Sequence, residues 1–240
     1  MAGTALLRGL TWQVATVTAV LDETPSVRTL ELDIPGWPGH LAGQHVDIRL
    51  TSEDGYRAER AYSIASAPGE APAITVERLD NGEVSPYLTQ EVRKGDAFEL
   101  RGPIGGYFVW RPEDGGPLFL AAGGSGVVPM RSILRHRRRS GSTVKAKLLL
   151  SARSLEDVIY RAELEGPEVI HTLTRVQPPG WAGYARRVDA DLLRDVAWPP
   201  IENPLAYVCG PTPFVEVVAA GLVALGYAPQ RIRTERFGGA

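Results

Sequence analysis

At 240 residues the chain has room for one large domain or two small ones, and 44% hydrophobic with 22% charged residues is ordinary for a globular protein. A formal net charge of -2 argues against a general nucleic-acid binder, which needs a basic surplus. The single cysteine, Cys209, excludes an internal disulfide and an iron–sulfur cluster held by about four thiolates of this chain.

The stretch from Met1 to Leu10 lacks a basic start, a sustained apolar run and a small-residue cleavage site, so no signal peptide is expected. Nowhere do about 18 apolar residues run together, so no membrane span is expected and the cytoplasm is the expected location.

From Thr11 to about Arg111 short strands alternate with Gly, Pro and Asp turns. Trp12–Val20 opens the series. Leu30, Leu32 and Ile34 alternate with polar neighbours before the Pro35-Gly36 turn, and Val46, Ile48 and Leu50 alternate with Asp47, Arg49 and Thr51. Arg60–Ala65 leaves a polar turn, Ile74 and Val76 precede Glu77-Arg78, and Phe98 and Leu100 repeat the pattern once more. About six strands, mostly of period two, suggest a small closed or sandwich-like barrel, and an antiparallel six-stranded β-barrel is the expected fold.

One short helix, Tyr87–Val92, interrupts the strands, with Ser85 as its N-cap and Pro86 at its first position. The turn Asn81-Gly82-Glu83-Val84 feeds its N-terminus. That turn is either a phosphate seat, where glycine permits close approach and free N–H groups favour an anion, or the lead-in to a capped surface helix. Gly102-Pro103-Ile104-Gly105-Gly106 reads as a rigid turn closing the barrel, with Tyr107, Phe108 and Trp110 around it.

Arg111–Pro117 is the linker, which divides the chain into 1–112 and 117–240. Leu118–Ala122 is fully apolar, as in a buried parallel strand. It runs into Gly123-Gly124-Ser125-Gly126-Val127-Val128-Pro129 and a helix to about Arg139. Strand, glycine turn and helix form the context that cradles a pyrophosphate, although Pro129 replaces the third glycine of G-x-G-x-x-G and a mere tight turn is the alternative.

Strands then follow at Val144–Ala152, Val169–Arg175, Leu205–Val208 and Arg231–Phe237, with helices at Leu155–Glu165, Asp189–Val196 and Pro213–Leu225. Ser154 and Thr212 are the expected N-caps. This alternation predicts a doubly wound α/β parallel-sheet domain with its ligand at the carboxyl ends of the strands.

Certain side chains carry chemistry. In an extended strand Arg60 and Tyr62 share a face, and a forked guanidinium beside a flat aromatic suits a phosphate and a planar ring; an ordinary edge strand is the alternative. The second α/β strand ends at Arg153, where an NAD-binding protein usually offers an acidic residue to the ribose. An arginine there suits a 2′-phosphate, and Arg175 and Arg187 can join it, or all three are solvated surface charges. The basic run from Arg131 to Arg139 reads mainly as a solvated helix end, with a docking surface for an acidic protein as the alternative. Cys209 is a small core hydrophobe or sits against a ligand, and nothing supports a nucleophile. His40, His45, His136 and His171 show no metal-ligand or triad spacing, so no metal is expected.

In one order the chain carries Arg-x-Tyr-Ser (60–63), Gly-x-x-Ser (82–85), Gly-Gly-x-Gly-x-x-Pro (123–129), Cys-Gly-Pro (209–211) and Glu-Arg-Phe (235–237). That set resembles the ferredoxin–NADP reductase superfamily across nearly the whole chain. The resemblance implies a flavin-binding barrel followed by an NADP-binding domain, with FAD and nicotinamide meeting between them.

It further implies that Arg60 contacts the flavin pyrophosphate, Tyr62 stacks on the isoalloxazine with Ala61 beside it, and Ser63 lies near flavin N5. The backbone of Thr75, Val76 and Glu77 lines the ribityl side, while Gly82, Glu83, Val84 and Ser85 hold the pyrophosphate. Gly123, Gly124, Ser125 and Gly126 take the NADP pyrophosphate and nicotinamide end, and Arg153, Thr174, Arg175 and Arg187 take the 2′-phosphate. Cys209, with Gly210 and Pro211, abuts the nicotinamide. Glu235 is the carboxylate behind the active site, and Phe237 shields the flavin face. Ser63, Cys209, Glu235 and Phe237 form the expected catalytic set.

The implied activity is hydride transfer from NADPH, in preference to NADH, to FAD, with electrons passed to a ferredoxin, flavodoxin or other electron-transfer protein. A free-flavin reductase and a non-catalytic flavoprotein redox subunit are the alternatives. A monomer without nucleic-acid or membrane partners is expected. Two departures from the family pattern stand out. Plant-type members end in a tyrosine, whereas Gly238-Gly239-Ala240 follow Phe237 here. Some relatives carry a fused [2Fe–2S] domain, which this sequence lacks, so a one-electron acceptor is expected elsewhere.

Overall fold

The computed structural model describes residues 10–237. Six strands form the first sheet: β1 (Gln13–Thr24), β2 (Val27–Asp33), β3 (His45–Thr51), β4 (Arg57–Ser63), β5 (Ala73–Glu77) and β6 (Ala97–Ile104). Period-two alternation sorts their side chains. In β3, Val46 and Ile48 are buried while Asp47 and Arg49 turn outward and bind their cross-strand partners on β6. Arg49 holds Glu99 at 2.6 Å, and Arg101 donates to Asp47 at 2.9 Å.

The antiparallel order is β4-β3-β6-β1-β2-β5. The two edges meet just beyond β4, where Ile64 bridges to Ile74 and Ala65 N–H donates to Ala73 O at 2.7 Å. The sheet therefore closes on itself around Leu30, Ile48, Ile74, Val76 and Leu100, all essentially without solvent contact.

The second sheet is entirely parallel, with β7 (Leu118–Gly123), β8 (Ala146–Ala152), β9 (Val169–Leu173), β10 (Leu205–Pro211) and β11 (Ile232–Phe237) in the order β11-β10-β7-β8-β9. Every residue of β7 is buried, as a strand covered on both faces requires. α1 (Val127–Arg139) packs on the face carrying Leu118, Leu120 and Tyr207. α2 (Ala190–Val196) and α3 (Thr212–Ala224) cover the face carrying Phe119, Ala121 and Val208. The chain reverses direction across the sheet between β7 and β10, and a crevice opens at such a point. No helix among the described residues is long and apolar enough to cross a membrane.

One apolar cluster runs through both sheets' territory: Val27, Ala65, Phe108 and Trp110 from the barrel side pack with Leu118, Leu148 and Tyr207. Phe108 meets the Tyr207 ring edge-on at 5.1 Å, and Tyr207 donates its hydroxyl hydrogen to Val109 O at 2.9 Å. The seam is a packed core, so the crevice beside it has fixed walls.

The structure departs from several sequence expectations. No helix covers Leu155–Glu165; the segment is a series of turns in which Tyr160 has φ 59°. Val158, Ile159 and Tyr160 are buried in succession, which a one-faced surface helix cannot arrange. Ser154 accordingly caps nothing and donates to Asp157 at 2.7 Å. Ser85 is itself helical and precedes a π-helical turn, Tyr87–Glu91, whose N-cap position is Pro86. Its hydroxyl instead accepts from Leu79 N–H at 3.1 Å. Thr212 is the first residue of α3 rather than its cap, with Pro211 before it and no side-chain capping bond. Gly102–Ile104 continue β6 instead of turning, and Tyr107 stays exposed while Phe108 and Trp110 enter the seam.

The basic run of α1 is not mainly a solvated helix end. Arg131, Arg135 and Arg139 recur every four residues and so share one helix face. Arg131 and Arg135 reach Glu163 at 2.7 and 3.0 Å, while Arg135 and Arg139 reach Glu70 of the barrel at 3.1 and 3.5 Å. Arg137 grips Glu168 through two nitrogens at 3.0 and 2.9 Å.

Candidate active site

β4 delivers Arg60, Ala61, Tyr62 and Ser63 to one wall of a cleft of about 260 Å³. Thr75 and Glu77, at the end of β5, form its base, and the loop Leu79–Ser85 closes one end. Ser125, Val128 and Phe237 face them from the α/β half. Val76 turns into the barrel and is fully buried, so its side chain takes no part. Tyr62 is half-buried against the barrel core, and burial pushes its phenol pKa up, so the ring presents a neutral face.

The end of this cleft is built for an anion. Arg60 donates to Glu83 Oε2 at 2.8 Å, and Tyr56 donates its hydroxyl hydrogen to Glu83 Oε1 at 2.7 Å. The Glu83 carboxylate thus stands where a pyrophosphate oxygen would find the same donors. Among the described residues, no backbone carbonyl accepts from the N–H groups of Glu83, Val84 or Ser85. A Cβ added to Gly82 would stand 2.8 Å from Ser85 Oγ and 3.0 Å from Leu79 O, so the loop leaves little room for a side chain there. Guanidinium, unspent N–H groups and a flat aromatic together fit a flavin with a pyrophosphate tail.

A second groove, of about 210 Å³, adjoins it. Gly123 and Gly124 lie at its floor, Ser151, Ala152 and Arg153 end β8 along one side, and Pro211 and Phe214 stand opposite. Glycine is needed where the loop presses on β10: a Cβ at Gly126 would meet Cys209 O at 2.1 Å. Such close backbone approach fits a nucleotide pyrophosphate. Glu77 and Phe237 line both cavities, so the two are one trough with a shared waist.

Cys209 lies under this floor, 3% exposed, and lines neither cavity. Burial, and then the charge of Glu235, pushes its thiol pKa up. Glu235 is its register partner on β11, just as Phe237 is the partner of Pro211. Burial raises the Glu235 carboxyl to about 7, so it titrates near neutrality.

The three arginines end three neighbouring segments. Arg175 N–H donates to Arg153 O at 2.9 Å, and Thr172 Oγ1 donates to Arg186 O, which lays the 184–187 segment beside β9. Only Arg153 lines the groove, where Thr174 joins it; the exposed Arg175 and Arg187 do not. Arg153 faces Glu77 at 3.6 Å.

Sequence reasoning missed Leu79 and Val128 in the flavin cleft and Asp157, Phe214 and the hairpin residues Thr24, Ser26 and Val27 in the groove. Phe214 had a local signal, since it follows Cys-Gly-Pro in the first turn of a helix. The hairpin had none: its place is set by barrel closure.

A closed antiparallel barrel joined through a packed seam to a five-stranded parallel sheet, with a trough at the switch point, defines a two-nucleotide oxidoreductase fold. The family models agree: residues 15–109 match the oxidoreductase FAD-binding domain and residues 120–220 the oxidoreductase NAD-binding domain. The chain is 34% identical over 241 residues to ferredoxin–NADP reductase B of Sorangium cellulosum, covering 93% of this chain and 96% of that protein. It is 32% identical to NADH-cytochrome b5 reductase 1 of Aspergillus terreus, covering 83% and 71%. It is 31% identical to the ferredoxin reductase component of 3-ketosteroid-9-alpha-monooxygenase of Rhodococcus rhodochrous, covering 93% of this chain but only 64% of that protein. Among solved structures, the flavohem-like FAD/NAD binding domain of nitric oxide dioxygenase from Vibrio cholerae superposes with a TM-score of 0.83 at 26% identity, covering 95% and 99%. The chain belongs to the ferredoxin–NADP reductase superfamily and is an enzyme that uses FAD and a nicotinamide nucleotide.

Proposed function

We propose that the chain takes a hydride from NADPH onto bound FAD and passes the electrons to an electron-transfer protein on a separate chain, of the ferredoxin or flavodoxin kind. The observation carrying this reading is the waist: Glu77 and Phe237 line both cavities, so two nucleotides held in them meet at one place. Bound FAD supplies the chemistry that accepts an electron pair and releases electrons singly.

The chain's residues bind, orient and exclude water. Arg60 and the N–H groups of Glu83, Val84 and Ser85 hold the flavin pyrophosphate, Tyr62 supports the ring, and the Ser63 hydroxyl donates or accepts at its edge. Phe237 covers the waist from the α/β side and keeps water out until nicotinamide displaces its ring. The loop Gly123–Gly126 takes the second pyrophosphate on its backbone, with Gly210 and Pro211 across the groove. Cys209 keeps its proton and acts as a neutral packing contact below the nicotinamide rather than as a nucleophile. Glu235, titrating near neutrality beside it, holds a proton or a negative charge under that end of the trough.

The relatives named above include an NADP and an NADH enzyme, so the preference for NADPH is argued from the groove. Arg153 and Thr174 line it, Arg175 is the neighbour whose N–H bonds the Arg153 carbonyl, and Asp157, a carboxylate within the groove, is engaged by Ser154. Residues of one chain line both cavities, which supports a monomer as the working unit.

The test is direct. Purified protein is expected to be yellow and to bleach anaerobically with NADPH, with kcat/KM about tenfold or more above that for NADH. Colourless protein that takes up no added FAD would end the reading, and a preference for NADH would end the nucleotide assignment.

A further inference from the structure

The β5 end and the loop after it supply a carboxylate to each arginine that faces a nucleotide phosphate. Glu83 holds Arg60 at 2.8 Å, and Glu77 faces Arg153 at 3.6 Å. The two contacts differ in kind. Glu83 is braced by a second donor, Tyr56, whereas the contact between Glu77 and Arg153 is long and spans the trough from the barrel to the α/β sheet.

Arg153 therefore has two places to reach. One is Glu77, at the waist. The other direction is the outer edge of the groove, where Thr174 lines the wall and Arg175 is tied to the Arg153 carbonyl. A guanidinium cannot be in both places. Glu77 also lies beside the glycine loop, its Oε2 3.7 Å from where a Cβ of Gly124 would stand.

We propose that Glu77 sets the strength of 2′-phosphate recognition: it occupies Arg153 at the waist, and a 2′-phosphorylated nucleotide must win the guanidinium from it. This rests on the reading of Arg153 as a 2′-phosphate contact. The consequence is a groove that binds phosphorylated nucleotide less tightly than its arginine permits, and so releases the oxidised product sooner. An ion pair this long, with the arginine 59% exposed, is weak, which is what a competitor must be if the ligand is to displace it. Nicotinamide nucleotides without the 2′-phosphate make no claim on Arg153 and are indifferent to the pair.

The experiment measures binding without turnover, using calorimetry on the flavin-loaded protein with 2′,5′-ADP and 5′-ADP as probes. Four proteins are compared: wild type, Glu77→Gln, Arg153→Ala and the double variant. Flavin content is read from absorbance in each, because Glu77 also borders the flavin cleft. Glu77→Gln is expected to bind 2′,5′-ADP about three- to fivefold tighter, the range an exposed pair of this kind supports, with 5′-ADP changed less than about twofold. Adding Arg153→Ala is expected to abolish that gain. If Arg153→Ala selectively weakens 2′,5′-ADP but Glu77→Gln leaves it unchanged or weakens it, the competition is refuted while the 2′-phosphate reading stands. Equal changes for both probes on Glu77→Gln also refute it, since Glu77 would then act on the part of the nucleotide they share. If Arg153→Ala leaves the two probes equally affected, the 2′-phosphate reading itself fails and the competition falls with it.

Discussion

Tyr160 donates its phenol hydrogen to Thr75 Oγ1, which ties a side chain of the nucleotide-binding half to the base of the flavin cleft. The bond is the head of a chain: Thr75 Oγ1 lies 2.7 Å from Thr29 Oγ1, and Thr29 donates to Glu23 at 2.6 Å. Each hydroxyl gives its hydrogen to the next, and a carboxylate ends the series. Arg131 covers the Tyr160 ring at 4.3 Å, so the phenol is held on its face as well as at its tip. Tyr160→Phe keeps the packing and removes the bond. It is expected to cost about 1 kcal/mol in thermal or urea unfolding, the worth of one buried hydrogen bond, and to loosen flavin retention. Unchanged melting with unchanged flavin content would show that the tie holds nothing.

Glu70 is the barrel's anchor on α1. Its carboxylate meets Arg135 and Arg139 and also accepts from Ala67 N–H at 2.8 Å, which shapes the loop that presents it. Glu70→Gln removes the charge but not the shape. A loss of about 1 to 2 kcal/mol is expected at low salt, since a partly buried carboxylate with two arginines exceeds the usual exposed pair. The difference from wild type is expected to shrink in high salt, where these charges are screened. A salt-independent difference would assign the effect to the loop rather than to the ion pairs.

How far the sequence spoke depended on how local each signal was. Most of the barrel strands follow from alternation, because a half-buried strand writes its burial into every second residue, as Val46 and Ile48 do, whereas β4, whose burial does not alternate, is marked by the polar turn before it. The glycine loop and β7 were legible for the same reason: a fully apolar strand and a backbone approach both leave residue-level marks. What failed was decided elsewhere in the chain. Leu155–Glu165 has the composition of a helix, yet Tyr160 is drawn out of it by Thr75, 85 positions away. The basic run looked like a solvated helix end because Glu70 and Glu163, which neutralise it, lie about 65 and 30 residues off. In the trough, Tyr62, Ser63, Gly82, Ser85 and Arg153 are placed together, and Glu77, expected to give only backbone, brings its carboxylate to the waist. No single-position pattern carries that carboxylate's reach to Arg153.

Gly126 is the tightest point between the glycine loop and β10. An added Cβ would overlap Cys209 O at 2.1 Å and Gly210 N at 2.9 Å, both backbone atoms that no rotamer change can relieve. Gly126→Ala must therefore push the loop off the strand. The expected result is destabilisation of about 2 kcal/mol or more and a rise in KM for NADPH well beyond any change in flavin content. Gly141→Ala is the contrasting variant: a Cβ there meets nothing within 4 Å but the residue sits at φ +65°, so only mild backbone strain is expected. If both variants behave alike, contact with Cys209 is not what the glycine is for.

Glu235 makes stability and turnover depend on pH in a predictable direction. Its carboxyl is raised by burial from 4.5 to about 7, so the folded protein holds a proton that the unfolded chain has already released. Between those two values the native state binds more protons than the unfolded state, and stability falls as pH rises through that window, levelling off above it. The loss is on the order of 2 kcal/mol after allowing for partial exposure. Glu235→Gln cannot ionise and is expected to remove that slope, making the variant more stable than wild type at pH 8 and no more stable at pH 5. Wild type is expected to show an ionisation near neutrality in kcat/KM for NADPH, and the variant is expected to lose it. Parallel stability curves for the two proteins across this range would mean that Glu235 is ionised throughout and solvated in the native state. The charge beneath the nicotinamide would then be permanent, and any neutral-range ionisation in turnover would have to belong to another group.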